Sequence, residues 1–206
     1  MNPALLSAFI PTFFFVSITP GLCMTLAMTL GITIGVRRAF WMMWGEMLGV
    51  ATVVIAAVAG IAALLLTMPE LFTVLRWAGG LYLMWLGVQM WRSRGRLAIP
   101  EDLGEAKQAS RWQLFLQGYV TAVANPKGWA FTIALLPPFL DANHPLVPQL
   151  LILLALILII EFVCLLIYSS GGKMMRVFLL QATNVRVMNR IAGSLMLGVG
   201  VWLALF

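Results

Sequence analysis

Two side chains of opposite charge stand inside long apolar stretches of this sequence. Lys127 lies within the apolar run 112–136, and Glu161 lies near the middle of the run 147–170. A charged group in hydrocarbon costs about 2.5–3.5 kcal/mol on insertion scales, so such residues face a polar site or a partner. An ammonium and a carboxylate at similar depth are suited to hold a small zwitterion and to exchange a proton.

Helix breakers interrupt two of the apolar runs. Thr19-Pro20-Gly21 lies about 16 residues into the first run and Asn125-Pro126 about 13 residues into the fourth, at depths of roughly 24 and 20 Å. Lipid cannot pair backbone N–H and C=O groups, so a broken helix at this depth lines protein or a water-filled cavity. The predicted substrate-binding residues are Thr19, Pro20, Gly21, Cys23, Asn125, Pro126, Lys127 and Gly128.

The composition is that of a membrane protein. Of the 206 residues, 62% are hydrophobic and 10% are charged, and the mean hydropathy is +1.00. About 20 residues cross the hydrocarbon as a helix, which predicts an all-α integral membrane protein with six transmembrane helices. The predicted spans are residues 4–34, 39–67, 71–91, 112–136, 147–170 and 188–206. The first run is too long for a signal peptide and is expected to remain as the first helix.

The net charge of +6 is concentrated in alternate connections between the spans. The basic residues of these three connections are Arg37, Arg38, Arg92, Arg94, Arg96, Lys107, Arg111, Lys173, Arg176, Arg186 and Arg190. By the positive-inside rule these connections face the cytoplasm and both termini lie outside. Membrane topology therefore accounts for the basic charge, and no nucleic acid is expected as a partner.

Landmarks recur in the same order in the two halves of the chain. The matched pairs are Pro20 with Pro126 at an offset of 106, Glu46 with Glu161 at 115, and Arg76 with Arg190 at 114. Each half has three spans, so the second half must enter the membrane inverted relative to the first. This is the plan of many secondary transporters, and it implies alternating access. The predicted units are a first repeat, 1–91, a cytoplasmic linker, 92–111, and a second repeat, 112–206.

These motifs together resemble the LysE/RhtB family of amino-acid exporters of bacterial inner membranes. The resemblance covers essentially the whole chain and rests on Pro20-Gly21, Gly45-Glu46, Asn125-Pro126-Lys127 and Glu161. It implies export of amino acids or related small metabolites by proton antiport, with no catalytic residue, metal or cofactor expected. Two departures concern the substrate: Leu22-Cys23 stands where the family usually has Pro-Asn, and Glu46 replaces the commoner Asp. The amino acid itself is therefore not predicted.

A transport hypothesis assigns a role to each charged group. The substrate carboxylate would meet Lys127 and the N–H groups where helices one and four restart, which carry the positive end of a helix dipole. The substrate ammonium would meet Glu161, Glu46 or the carbonyls freed before the breaks. Glu161 lies deeper than Glu46 and is the expected proton carrier, because burial disfavours a charged carboxylate.

Three other hypotheses about function are consistent with the sequence. A heavy-metal exporter could use Cys23, Cys164 and the two intramembrane glutamates as ligands, although the sequence has no Cys-x-x-Cys pair. A transmembrane thiol-disulfide carrier, an enzyme, would need cysteines at matched positions of the two halves, which Cys23 and Cys164 do not occupy. Glycine pairs such as Gly45 and Gly49 could also serve a structural scaffold or a homodimer.

Overall fold

The computed structural model of the chain describes residues 3–67, 69–93, 108–136, 139 and 145–205. All regular structure within these ranges is helical, which confirms the predicted all-α fold class. The helices are α1 (Pro3–Ile18), α2 (Leu22–Ile34), α3 (Val36–Thr67), α4 (Pro69–Arg92), α5 (Arg111–Val123), α6 (Pro126–Leu135), α7 (Leu146–Leu180) and α8 (Ala182–Leu205). Most of the predicted linker, residues 94–107, lies outside the described residues.

Apolar helices identify the chain as a membrane protein. In the described part of the chain, Val36–Gly60 of α3 and Val147–Gly172 of α7 are long and apolar enough to cross a bilayer. The pair α1 and α2 meets the same criterion if it forms one span, bent by 57° at its break. The helices α5 and α6 have 13 and 10 residues, so neither can cross alone.

Two of the interruptions between helices, those before α2 and α6, have local causes. Pro20 lacks an N–H and disfavours the helical conformation at Thr19, and α2 restarts after Gly21, which is extended (φ −149°) and provides no side-chain cap. Before α6, Asn125 is the N-cap, and its side chain accepts a hydrogen bond from the Lys127 backbone N–H at 3.1 Å. Pro126 occupies the first helical position, where a missing N–H removes no helical hydrogen bond.

Glycines bring neighbouring helices to backbone contact. Gly45 of α3 faces the Phe115 carbonyl of α5, and Gly118 of α5 faces the Met42 carbonyl of α3. A Cβ at either glycine would collide with the facing carbonyl group. Gly31 of α2 meets the backbone of α7 in the same way. These contacts fix α3 against α5 and α2 against α7, as small residues do between membrane helices.

The helices α4 and α8 pack antiparallel. Gly87 lies opposite Gly193, and Gly80 lies opposite Gly200, so residue numbers rise along one helix and fall along the other. Farther along this contact, the Trp91 indole N–H donates to Ser194 Oγ at 3.0 Å. The C-terminal end of α4 therefore lies beside the N-terminal end of α8.

The described arginines of the polar connections lie at one end of the molecule, here called the basic end. The Arg38 guanidinium donates to the Ala109 carbonyl at 2.8 Å, which puts the starts of α3 and α5 together. The end of α2 meets α7 where Ile32 approaches Gly172, and α8 follows α7 directly. The arginines at this end are Arg37, Arg38, Arg92, Arg111, Arg176, Arg186 and Arg190.

The helix α7 changes direction at Gly172. Its backbone there has φ 38° and ψ −115°, a conformation that residues with a Cβ avoid. The apolar span thus ends at Gly172, two residues beyond the predicted end of span five. The segment 173–180 continues as helix, and Met174 and Val177 in it are largely exposed. A short helix with exposed apolar residues beside Arg176 is suited to lie in the membrane interface.

Candidate functional site

A cavity of about 70 Å³, here called the inner cavity, lies beside the first break. Its walls come from α1, α2, α3, α7 and both sides of the second break. The polar side chains that line it are Ser17, Thr19, Cys23, Asn125, Lys127, Thr132 and Glu161. Apolar side chains, among them Val50, Val53, Val54, Phe131 and Ile157, form much of the remaining wall.

The Lys127 ammonium binds the end of α1. Its Nζ donates to the Val16 carbonyl at 2.8 Å and to the Thr19 carbonyl at 3.2 Å. The break leaves such carbonyls without helical partners, and a positive charge is favourable at the C-terminal end of a helix dipole. An ammonium has three N–H donors, so one remains beyond these two contacts. Lys127, which lies just after the second break, therefore stabilises the end of α1 at the first break.

Tyr168 supports the same helix end. Its hydroxyl donates to the Ile18 carbonyl at 2.7 Å, and its side chain is fully buried. The carbonyls expected to receive a substrate ammonium before the first break are thus largely occupied by protein donors. Tyr168 was not predicted from the sequence, although Glu161, Cys164 and Tyr168 are spaced by three and four residues. That spacing puts all three on one face of a helix.

Glu161 is tied to α1 by a short hydrogen bond. Ser17 Oγ donates to Glu161 Oε2 at 2.6 Å, and both residues line the inner cavity. Lys127 is close enough to attract the Glu161 carboxylate through space, but its Nζ forms no direct ion pair with it. The sequence analysis did not identify Ser17, which carries no charge and lies two residues before Thr19. The predicted proton carrier is therefore positioned by α1 as well as by α7.

Glu46, the other predicted proton-coupling residue, lies outside the lining of the inner cavity. It is fully buried on α3, where that helix packs against Gly118 of α5. Among the described residues, neither carboxylate oxygen of Glu46 has a hydrogen-bond partner. Cys23 and Glu161 are near enough to act on it electrostatically. A buried carboxyl without a hydrogen bond is rare in proteins, and the Cys23 thiol is a polar side chain beside it.

Asn125 links the two breaks through its side-chain amide. Its Oδ1 caps α6, while its Nδ2 donates to Cys23 Sγ of α2 at 3.4 Å. Six of the eight predicted substrate-binding residues line the inner cavity, the exceptions being Pro20 and Pro126. The prolines shape the backbone, whereas their neighbours supply the polar atoms.

The metal and thiol-disulfide hypotheses both involve Cys23 and Cys164. No group of three or more His, Cys, Asp or Glu side chains in the described ranges is placed to hold a metal ion. Cys23 and Cys164 are both buried free thiols, not joined to one another.

Comparison with known proteins identifies the family. The family model described as LysE type translocator matches residues 14–205. The chain is 30% identical over 197 residues to the homoserine/homoserine lactone efflux protein of Salmonella typhimurium strain LT2, covering 96% of this chain and 94% of that protein. It is 28% identical over 193 residues to the leucine efflux protein of Enterobacter sp. strain 638, covering 93% and 90%. No solved structure matches the chain. The predicted resemblance is confirmed, and this chain belongs to the LysE type translocators, a family of membrane transporters.

Proposed function

We propose that this protein exports neutral amino acids, or closely related zwitterionic metabolites, from the cytoplasm by proton antiport and alternating access. Two relatives are named for the efflux of leucine and of homoserine or its lactone. Leucine and homoserine both carry an uncharged side chain. The proposal is that this chain shares that substrate class.

The observation that supports this function most directly is that one cavity with largely apolar walls is lined by both Lys127 and Glu161. The third N–H of the Lys127 ammonium would bind the substrate carboxylate, and Glu161 would bind the substrate ammonium. The first N–H groups of α2 add to the carboxylate site, because no side chain caps that helix. Valines on α3 would contact the substrate side chain. A cavity with one fixed charge of each sign and apolar walls favours a neutral amino acid over lysine or glutamate.

We assign proton coupling to Glu161. Glu46 is a second buried carboxyl near it, outside the lining of the inner cavity. Two carboxylates near one another repel, so a proton bound at one relieves the repulsion. In the proposed cycle, Glu161 takes a proton from the outside and releases it to the cytoplasm, while the amino acid moves outward. Glu161 cannot hold the substrate ammonium and the proton at once, and this competition links the two movements.

The proposed architecture is six spans in two inverted repeats, with α1–α2 and α5–α6 as the broken first helix of each. The antiparallel packing of α4 and α8 supports it, because these are the third helices of the two repeats. The single basic end supports a cytoplasmic location for that end, in a bacterial inner membrane with both termini outside. An inner cavity of about 70 Å³ is smaller than the roughly 300–1,000 Å³ of small-molecule pockets. Substrate binding therefore requires one repeat to move against the other.

The test is efflux from proteoliposomes that contain the purified protein. Labelled leucine, homoserine, lysine and glutamate are loaded in turn, with and without an imposed proton gradient. We expect gradient-dependent efflux of leucine or homoserine and little of the two charged amino acids. Efflux at the same rate with and without the proton gradient would contradict the antiport. Preferred efflux of lysine or glutamate would contradict the substrate class. Protein-free liposomes give the background.

A further inference from the structure

A second cavity, of about 300 Å³, lies on the other side of the first break. Four of its lining residues have uncharged polar side chains: Thr19, Gln89, Ser93 and Asn189. Thr19 and Lys127 line both this cavity and the inner cavity. The two cavities are therefore separated by a wall that contains Thr19 and Lys127.

The second cavity lies between this wall and the basic end. Ser93 directly follows the last residue of α4, and Asn189 lies two turns into α8. The Asn189 side chain is 8% exposed, and its Nδ2 donates to Ser93 Oγ at 3.0 Å. These residues are next to Arg92 and Arg190 in sequence, so the cavity lies on the side of the break that carries the arginines.

The lining chemistry fits a neutral zwitterion. An amide offers an oxygen that accepts from an ammonium and an N–H group that donates to a carboxylate, and both Gln89 and Asn189 provide one. Met90 and Met196 add an adaptable apolar surface. No carboxylate is among the lining residues that the structure describes. The volume of about 300 Å³ is at the lower end of the range for small-molecule pockets.

We propose that this second cavity, here called the waiting site, binds the substrate amino acid before it passes Lys127. This inference rests on the proposed export function and adds a binding site to it. A substrate carboxylate in the waiting site first binds the third N–H of the Lys127 ammonium. Its negative charge then draws the ammonium away from the Val16 and Thr19 carbonyls. When the ammonium turns to the substrate, the wall between the two cavities loses two of its hydrogen bonds and opens.

The test is side-specific cysteine labelling in membrane vesicles that contain the full-length chain. Asn189→Cys is treated with a membrane-impermeant methanethiosulfonate in inside-out and right-side-out vesicles. The native chain, whose two cysteines are buried, is treated in parallel. Val187→Cys, two residues away on α8 and 51% exposed, is the matched control. Gln89→Cys is a second probe of the same cavity and is used if Asn189→Cys does not accumulate.

We expect Asn189→Cys to be labelled in inside-out vesicles and to be protected by leucine or homoserine. A ligand at ten times its Kd slows labelling about tenfold, whereas labelling of Val187→Cys stays unchanged. Preferential labelling in right-side-out vesicles, or labelling that neither amino acid slows, overturns the waiting site. If the protein exports leucine but Asn189→Cys is not protected, only this inference fails. If no amino acid is exported or protects, the proposed function fails with it.

Discussion

The two helix breaks are built in different ways. The second break is held by residues close in sequence: Asn125 caps α6, and the Trp129 indole N–H donates to the Val123 carbonyl at 2.8 Å. The first break has no side-chain cap at Gly21. Its Val16, Ile18 and Thr19 carbonyls are bound by Lys127 and Tyr168, which lie more than 100 residues away in sequence. The Phe15 and Gly21 carbonyls accept instead from nearby hydroxyls, those of Thr19 and Thr25.

From this difference we propose that the first break is the mobile element of the transport cycle and the second break its fixed reference. A break whose carbonyls are bound by distant side chains changes shape when those side chains find other partners. The second break is capped within its own segment, although Asn125 also reaches Cys23 of α2.

The largest effect is expected at Lys127. Lys127→Met removes two charge-assisted hydrogen bonds to α1, each worth about 1.5–3 kcal/mol. It also removes the group proposed to bind the substrate carboxylate. We expect efflux to fall by about 100-fold, which corresponds to roughly 3 kcal/mol. The measurement is initial efflux rate in proteoliposomes. Lys127→Arg keeps the charge and is expected to retain part of the rate; equal loss in both variants would show that the charge is not what matters.

The next effect concerns Glu161, which is bound to the first break through Ser17. Glu161→Gln keeps the shape but cannot cycle a proton, so we expect gradient-driven efflux to be lost. Exchange of internal for external substrate should persist at a reduced rate, because the amide oxygen can still accept a hydrogen bond from the substrate ammonium. Parallel efflux and exchange assays separate the two. Ser17→Ala keeps the carboxyl and is the control, with a smaller loss expected. Gradient-driven efflux by Glu161→Gln at the native rate would remove Glu161 from the coupling role.

A smaller effect is expected from Tyr168→Phe. The variant leaves the buried Ile18 carbonyl unpaired, at a cost of about 1–3 kcal/mol. The melting temperature of the purified protein in detergent should fall, and efflux should fall with it. Tyr82→Phe changes the same group at an exposed position and is expected to leave both unchanged. Equal melting temperatures for the two variants would contradict the support that Tyr168 gives to the first break.

The smallest effect is expected at the second break. Asn125→Ala removes the cap of α6, for which substitutions typically cost about 0.5–2 kcal/mol, while Pro126 still begins the helix in favourable geometry. Asn125→Ser keeps a capping oxygen and should restore the melting temperature. If the melting temperature falls more for Asn125→Ala than for Tyr168→Phe, the comparison is reversed, because the second break then depends more strongly on a single side chain.

The positions where the chain leaves the helix could be predicted because their cause is local. Pro20 follows Thr19, and a residue before proline disfavours the helical conformation; Asn125 is a favoured N-cap and Pro126 a favoured first helical residue. The contact between Lys127 and α1 could not be predicted, because it joins residues 108 and 111 positions apart. Its location depends on how α6 packs beside α1, and apolar sequence carries little information on which helices become neighbours.

The ends of the helices could also be predicted only approximately. Span five was predicted to end at residue 170, but α7 continues to Leu180 because apolar residues persist after the turn at Gly172. The proton-coupling role of Glu46 stays a prediction. Gly45 and Gly49 lie on either side of it, and small residues mark faces where membrane helices pack closely. Glu46 is fully buried. That it lies behind the inner cavity, rather than in it, depends on the close approach of α5.

The length of α7 has a consequence for the surrounding lipid. The 26 residues from Val147 to Gly172 span about 39 Å at 1.5 Å per residue, against a hydrocarbon thickness of about 30 Å. A helix with this hydrophobic mismatch tilts or thickens the bilayer around it. The tilt of such a helix is set by its packing against neighbouring helices. Glu161 and Tyr168 join α7 to α1, so the contacts that hold the first break also help to set the angle at which this long helix crosses the bilayer.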